Sequence, residues 1–335
     1  MDSSAITVLV TAELDRSLLS TLPSVFKISF AGYGLNREML SPAELKEKCR
    51  DIDVLVSEFD MITEEVMKTS RMKTIICCRA AVSTVVDLDA AKRLGICVHN
   101  NVGRNKVATA DFTLSLIFDL LRNITLTDRM IHSSRIRELQ HPMPVEYGDA
   151  LWGLDDKSPY QLFRGPSMSE ITIGIIGFGH VGQVLASKLE KLDIKYLVNT
   201  RHPGKDCRFV DLDTLLRESD VVSLHVSGND SRIPIITLEQ LKKMKRTAYL
   251  INTSRGYLVN EDDLYYALKN EMIAGAAIDV SMKEPMSEDD KLLELQNLII
   301  TPHIAGSSDD TITYGTKLVI DRLNELLHNL PVREG

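Results

Sequence analysis

Residues Gly177-Phe178-Gly179-His180-Val181-Gly182 set glycines at G-x-G-x-x-G spacing directly after an apolar run, residues 171–176, and directly before a stretch of helical periodicity. In that context each glycine answers a steric need. One lets the chain turn tightly out of a strand, one lets a phosphate approach bare backbone, and one lets a helix pack close to a sheet. The helix that follows can turn Val184, Leu185 and Leu189 toward such a sheet. Its free amides and the positive end of its dipole favour an anion at its start. Gly177, Gly179, His180, Val181 and Gly182 are therefore expected to hold the pyrophosphate of a dinucleotide.

The rest of the chain alternates in the same way. From the glycine loop onward, strands are expected at residues 171–176, 194–198, 221–224, 248–251, 273–278 and 298–300, with helices between them. Before it, strands are expected at residues 6–10, 53–57, 74–78 and 96–98. Ser41-Pro42-Ala43-Glu44 reads as a capping box with proline at the first helical position, Thr63-Glu64-Glu65 opens another helix, and residues 87–94 form one stopped by Gly95. Repeated βα units imply parallel sheets with helices on both faces. Phe112, Leu116, Ile117, Leu120 and Leu121 recur at helical spacing within residues 105–122, a long helix placed to bridge two domains. Residues 141–168, rich in proline and glycine around Trp152, read as an irregular excursion of the kind that often covers a site.

At 335 residues the chain exceeds what one core usually supports, so two domains are expected. Its 44% hydrophobic and 26% charged residues are ordinary for a soluble globular protein. A net charge of −8 and a pI near 5.6 argue against nucleic acid or an anionic membrane as partner, and favour small diffusible ligands. The five cysteines have no C-x-x-C spacing, so neither a disulfide framework nor a zinc site is indicated. Cys77 and Cys78, in an apolar run, read as buried free thiols. The first apolar run, residues 6–10, is too short for a signal or membrane segment. A reducing cytoplasm fits these features.

Three short segments near the end carry reacting groups: Asn252-Thr253-Ser254-Arg255-Gly256, then Asp279 to Glu284-Pro285, then Thr301-Pro302-His303. A permanent cation, a carboxylate and an imidazole can hold a 2-oxo acid and move one proton while a cofactor moves the hydride. In wording and order these segments resemble the D-isomer-specific 2-hydroxyacid dehydrogenases, whose pattern runs N-x-x-R-G, D-V-x-x-x-E-P and T-P-H. The resemblance covers nearly the whole chain and is strongest over residues 171–306. It implies an α/β fold of two doubly wound parallel-sheet domains. One is a flavodoxin-like substrate domain of residues 1–101 completed by 304–335, and the other a Rossmann NAD(P)-binding domain of residues 102–303. It implies that Arg255 binds the substrate carboxylate and ketone oxygen, that Glu284 pairs with His303, and that His303 is the acid and base. It further implies that Asp279 neighbours the nicotinamide, that Thr253 and Ser254 line the cofactor, and that the protein is a homodimer. His225 matches the family's H-x-P position, with Ser227 in place of proline, and is expected to shape the cofactor pocket. His99, His132, His141, His202 and His328 show no metal-ligand spacing, so no metal is expected.

Two positions depart from common patterns. An NAD-specific fold places an acidic residue about twenty residues beyond the glycine loop to take the ribose hydroxyls. Here Thr200 stands there, followed by Arg201, which removes repulsion against a 2′-phosphate and offers a bidentate partner. NADP(H) is therefore favoured, with NAD(H) possible. In the first domain many family members hold the substrate carboxylate with a G-x-G-x-D-N-x-D loop. This chain has Arg79-Ala80-Ala81-Val82-Ser83-Thr84-Val85-Val86-Asp87, so Ala80 and Val82 carry side chains at the glycine positions, and Ala80, Ala81 and Val82 are the substrate-binding candidates beside Arg255. Which 2-hydroxy acid is bound stays open, from glyoxylate and hydroxypyruvate to 3-phosphoglycerate or sugar-derived acids. Formate dehydrogenases share the fold but have an amide where Glu284 stands. A redox-sensing corepressor-like role of the same fold is the alternative from a different class.

Overall fold

The computed structural model describes residues 5–79, 82–135, 158–226 and 232–328. The chain separates into two units, Met1–Asn105 with Ser307–Gly335, and Lys106–Gly306.

In the first unit, β1 (Ile6–Val10), β2 (Phe26–Phe30), β3 (Val54–Ser57), β4 (Thr74–Cys77) and β5 (Cys97–Asn100) form one parallel sheet in the order β2-β1-β3-β4-β5. Every residue of β3 and β4 is buried, which is why these strands read as nearly continuous apolar runs, with one small polar residue at an end of each. Alternate residues serve opposite faces. Leu9, Leu55, Ile75 and Cys77 pack with Leu45, Val66 and Ala90, whereas Val8, Val10, Val56 and Ile76 pack with Leu19, Val319 and Leu323. The last two belong to the helix Asp309–His328. Its Thr316 hydroxyl accepts the Asp15 N–H at 2.9 Å, and Asn101 donates its side-chain amide to the Gly315 carbonyl at 3.1 Å. The helix Pro42–Lys48 carries the full capping box between Ser41 and Glu44. Cys77 and Cys78 are buried free thiols.

β2 is absent from the sequence expectations. Phe26-Lys27-Ile28-Ser29-Phe30 alternates apolar and polar residues, the mark of an edge strand with one wet face, whereas only continuous runs were read as strands.

In the second unit, β6 (Thr172–Ile176), β7 (Lys195–Asn199), β8 (Val221–Leu224), β9 (Tyr249–Asn252), β10 (Gly275–Ile278) and β11 (Leu298–Ile300) form a parallel sheet in the order β11-β10-β9-β8-β6-β7. Phe209 adds an isolated parallel bridge to Val198 on the free side of β7. There Val198 donates to the Arg208 carbonyl at 2.7 Å and Val210 donates to Val198 at 2.9 Å. Counting that rudimentary strand as the third gives the doubly wound Rossmann order, extended by one further strand. One face packs Leu250, Ala276 and Ile278 against Leu215, Leu264 and Leu268. The other packs Ile173, Ile175, Ile251 and Ala277 against Leu185, Leu189, Ile117 and Leu121. The long helix Lys106–Arg122 is thus built into this core through its apolar stripe. Of the excursion at residues 141–168, residues 141–157 lie outside the described residues. The remainder holds the short helix Pro159–Leu162, and Gly165 lies so close to the Leu121 carbonyl that a Cβ would stand 1.8 Å from its oxygen. Among the described residues no helix is long and apolar enough to cross a membrane.

Candidate active site

The neighbours of β6 are β7 and β8, so successive connections leave it in opposite directions and open a crevice at the carboxyl ends of the strands. Gly177 begins the turn there at φ +96, and a Cβ on it would lie 2.4 Å from the His225 carbonyl oxygen. A Cβ on Gly182 would lie 2.4 Å from the Gly177 oxygen. These two glycines are demanded by the protein's own packing. Gly179 is different, since a Cβ there would meet nothing within 4 Å. Its openness leaves bare backbone accessible at the start of the helix His180–Lys191, whose N-cap, Gly179, supplies no side-chain bond. The first-turn amides are available to an anion. The structure thus brings Gly177, Gly179, His180, Val181 and Gly182 to one helix terminus. At the end of β7 stand half-buried Thr200 and exposed Arg201. Arg208, further along the same loop, is engaged by Asp206, Glu190 and Tyr196.

At the end of β8, His225 is buried with its Nε2 2.9 Å from the Ser223 hydroxyl, and its Nδ1 has no partner among the described residues. Burial pushes its pKa down to about 4, so the ring is neutral near physiological pH. Ser254 donates its hydroxyl to the Leu224 carbonyl at 2.6 Å, and the Thr253 hydroxyl lies 3.0 Å from that of Thr113 on the long helix. Both side chains are thus engaged by the protein's own groups.

Arg255 follows β9 on a loop clamped by Asn252, which is 1% exposed. The Asn252 side-chain amide donates to the Arg255 carbonyl at 2.9 Å, and its oxygen accepts the Ser254 N–H at 3.1 Å. Arg255 is half-buried and donates from Nη1 to the Ser254 carbonyl at 2.6 Å. Gly256 presses this loop against the one after β10, because a Cβ on it would stand 2.1 Å from the Ser281 carbonyl. That second loop is anchored by Glu261, whose carboxylate accepts the Met282 N–H at 2.6 Å and whose pKa burial pushes up. Ser281 in turn donates its N–H to Glu284 Oε1 at 3.1 Å, and Glu284 Oε2 lies 2.7 Å from His303 Nδ1. With Nδ1 engaged, Nε2 is the nitrogen left to exchange a proton. The carboxyl ends of β9, β10 and β11 therefore deliver Arg255, Glu284 and His303 in turn.

Asp279, buried directly after β10, spends its carboxylate on the loop that carries His303, accepting from Thr301, Ile304 and Ala305. In the first unit Ala80 and Ala81 lie outside the described residues. Val82 is described, and its side chain is buried in the core with Val85 and Val86, so its main chain is what it can offer a ligand. Sequence reasoning named Asn252, Gly256, Ser281 and Thr301 as parts of segments without giving them tasks. The signal was adjacency, since Asn252 and Gly256 flank Arg255, and Thr301 precedes His303 by two residues. A cavity of about 1160 Å³ opens at the opposite, amino edge of this sheet, around Ile171, Tyr249 and Ile273, and contains none of these residues.

A Rossmann sheet with a glycine cradle, and a cation, carboxylate and imidazole at its carboxyl edge, defines a nicotinamide-dependent oxidoreductase. Residues 114–305 match the model of the D-isomer specific 2-hydroxyacid dehydrogenase NAD-binding domain, and the chain belongs to that family. It is 32% identical over 325 residues to a glyoxylate reductase of Korarchaeum cryptofilum, covering 94% of this chain and 91% of the relative. To a glyoxylate reductase of Thermofilum pendens it is 35% identical over 278 residues, covering 80% and 76%. The crystal structure of the TT0316 protein from Thermus thermophilus superposes with a TM-score of 0.75 at 29% identity, covering 96% of this chain and 97% of that one. The chain is thus an NAD(P)-dependent oxidoreductase interconverting a 2-oxo acid and a 2-hydroxy acid, and its fold class is the one the sequence implied.

Proposed function

We propose that the protein reduces a small 2-oxo acid to the D-2-hydroxy acid, with NADPH as the preferred cofactor and His303 as the proton donor. The observation that carries this reading is the 2.7 Å pairing of His303 Nδ1 with Glu284, which follows the strand next to the one that delivers Arg255. The dinucleotide supplies the hydride. Arg255 pairs with the substrate carboxylate and polarises the ketone oxygen, which suits a guanidinium that stays charged. His303 gives the proton on Nε2 to that oxygen as negative charge grows on it, and Glu284 holds the ring through Nδ1. In the reverse direction the neutral imidazole takes the hydroxyl proton.

Thr200 and Arg201 support the choice of NADPH, since no carboxylate opposes a 2′-phosphate there and an exposed guanidinium follows. The cofactor residues are Gly177, Gly179, His180, Val181, Gly182, Thr200, Arg201, His225, Thr253, Ser254 and Asp279. The first unit is the substrate-binding one, with Ala80, Ala81 and Val82 in the segment that family members use for the carboxylate. A homodimer in the cytoplasm completes the reading, in keeping with five free cysteines. The test is a panel of 2-oxo acids, glyoxylate and hydroxypyruvate among them, assayed with NADPH and NADH, alongside His303→Gln. Wild-type turnover should favour NADPH, and the variant should lose roughly a hundred-fold or more in kcat with its NADPH affinity retained. Unchanged turnover in His303→Gln would refute the acid/base assignment.

A further inference from the structure

His303 holds a left-handed backbone conformation, φ +58, which costs a non-glycine residue on the order of 1 kcal/mol or more unless its surroundings over-determine it. The His303 N–H also meets the Thr301 carbonyl at 3.0 Å, but most of the bonds that hold this turn end on one residue. Asp279 receives the Thr301 hydroxyl at 2.6 Å and the Ile304 N–H at 2.9 Å on Oδ1, the Ala305 N–H at 2.8 Å on Oδ2, and the His303 N–H at 2.8 Å on its main-chain oxygen. Asp279 is 1% exposed, so its charge is met by these donors rather than by water. Hydrogen bonds to an ionised acceptor are roughly twice as strong as neutral ones. Of the four donors, three are backbone amides, and the Thr301 hydroxyl is the one a substitution can remove without altering the main chain.

We propose that Asp279 and Thr301 are positioning residues for the acid/base. Their hydroxyl–carboxylate bond fixes the turn at residues 301–305, the turn fixes the φ of His303, and that φ sets the ring at 2.7 Å from Glu284. The inference rests on the reading of His303 as proton donor. It also separates two roles for Asp279. A residue that acts through His303 moves kcat, whereas one that holds the dinucleotide moves cofactor affinity. Thr301→Val keeps the shape of the side chain and deletes the donor, leaving Oδ1 with one amide and a turn free to relax. Small misplacement of a proton donor lowers the chemical step without changing ground-state binding.

The experiment compares full-length wild type, Thr301→Val, Thr301→Ser and His303→Gln in steady-state reduction of glyoxylate by NADPH, with thermal melts of each. Thr301→Val should lower kcat on the order of ten-fold with both KM values within about two-fold of wild type. Thr301→Ser, which restores the hydroxyl, should recover most of kcat. A Thr301→Val enzyme with wild-type kcat, beside an inactive His303→Gln, overturns the inference while leaving the acid/base reading intact. So does a rise in KM for NADPH at constant kcat, or a loss that serine fails to restore. Full turnover in His303→Gln overturns the acid/base reading and this inference with it.

Discussion

Both units wind a parallel sheet outward from a central pair of strands, β1 beside β3 in the first and β6 beside β8 in the second, yet they leave that pair by different turns. After β1 come Thr11, Ala12, Glu13 and Leu14. The Thr11 hydroxyl donates to Asp60, which also accepts the Ser57 hydroxyl at 2.7 Å, and all three residues are buried. That turn is filled by side chains tied back to the protein. After β6 come Gly177, Phe178 and Gly179, and the space a Gly179 side chain would occupy is empty. Strand order supplies a crevice in both sheets. The residues of the first turn decide whether backbone amides in it are open to a phosphate.

The strongest way to break this comparison is to put side chains into the glycine turn. Gly177→Ala adds a Cβ at φ +96 and 2.4 Å from a backbone oxygen, so the fold should lose about 3 kcal/mol or fail to accumulate, as read by thermal melting. Gly179→Ala has room and an ordinary φ of −80, so it should melt like wild type while NADPH binding by fluorescence titration weakens on the order of ten-fold or more. Wild-type affinity in Gly179→Ala would mean that the open turn is not a phosphate cradle.

A second test uses the buried imidazole behind the cradle. His225 has its folded-state pKa pushed down from 6.5 to about 4 by burial, so between those values the unfolded chain binds the proton first. Stability from this group is full above the unfolded value and is lost as pH falls through the window, by on the order of 3 kcal/mol in all. Denaturant melts of wild type and His225→Gln between pH 7 and pH 4 should show the slope flattened in the variant. Equal slopes would show that other groups dominate acid unfolding.

The smallest effect concerns the loop beyond β7, where charge rather than packing is at stake. Arg201→Ala should weaken NADPH by roughly ten-fold and leave NADH unchanged, the size expected of one charge-assisted hydrogen bond. An equal loss for both cofactors would make Arg201 an ordinary surface cation.

Much of this architecture was legible. β1, β8 and β11 occupy the very residues expected of them, 6–10, 221–224 and 298–300, because each is a short, mostly apolar run interrupted only by Thr7 and Ser223. The helix after Ser41 was legible because its capping box is a local arrangement of four residues. β2 was not, since an edge strand shows alternation too short to stand out. Neither was the bridge at Phe209, which has no run at all and exists through two backbone bonds to Val198. At the site, Arg255, Glu284 and His303 could be picked out because each sits just past a strand in a segment of distinctive chemistry. The uses of Asn252, Ser281 and Thr301 could not, because a polar side chain near a strand end can turn to solvent, to a ligand or to its neighbours.

By itself the amino-acid sequence determined what depends on local sterics and on period: the glycine turn, the buried strands, the capped helices and the residue types at the carboxyl edge. Only the tertiary structure decided which of those residues spend their hydrogen bonds on the protein. Asp279 sits 22 residues from Thr301, and Glu284 19 residues from His303, and loops from different strands must be brought side by side before either pair can form. Hydrogen bonds reach about 3 Å and depend on angle. Their partners are therefore set by the path of the folded chain, which no reading of neighbours along the sequence contains.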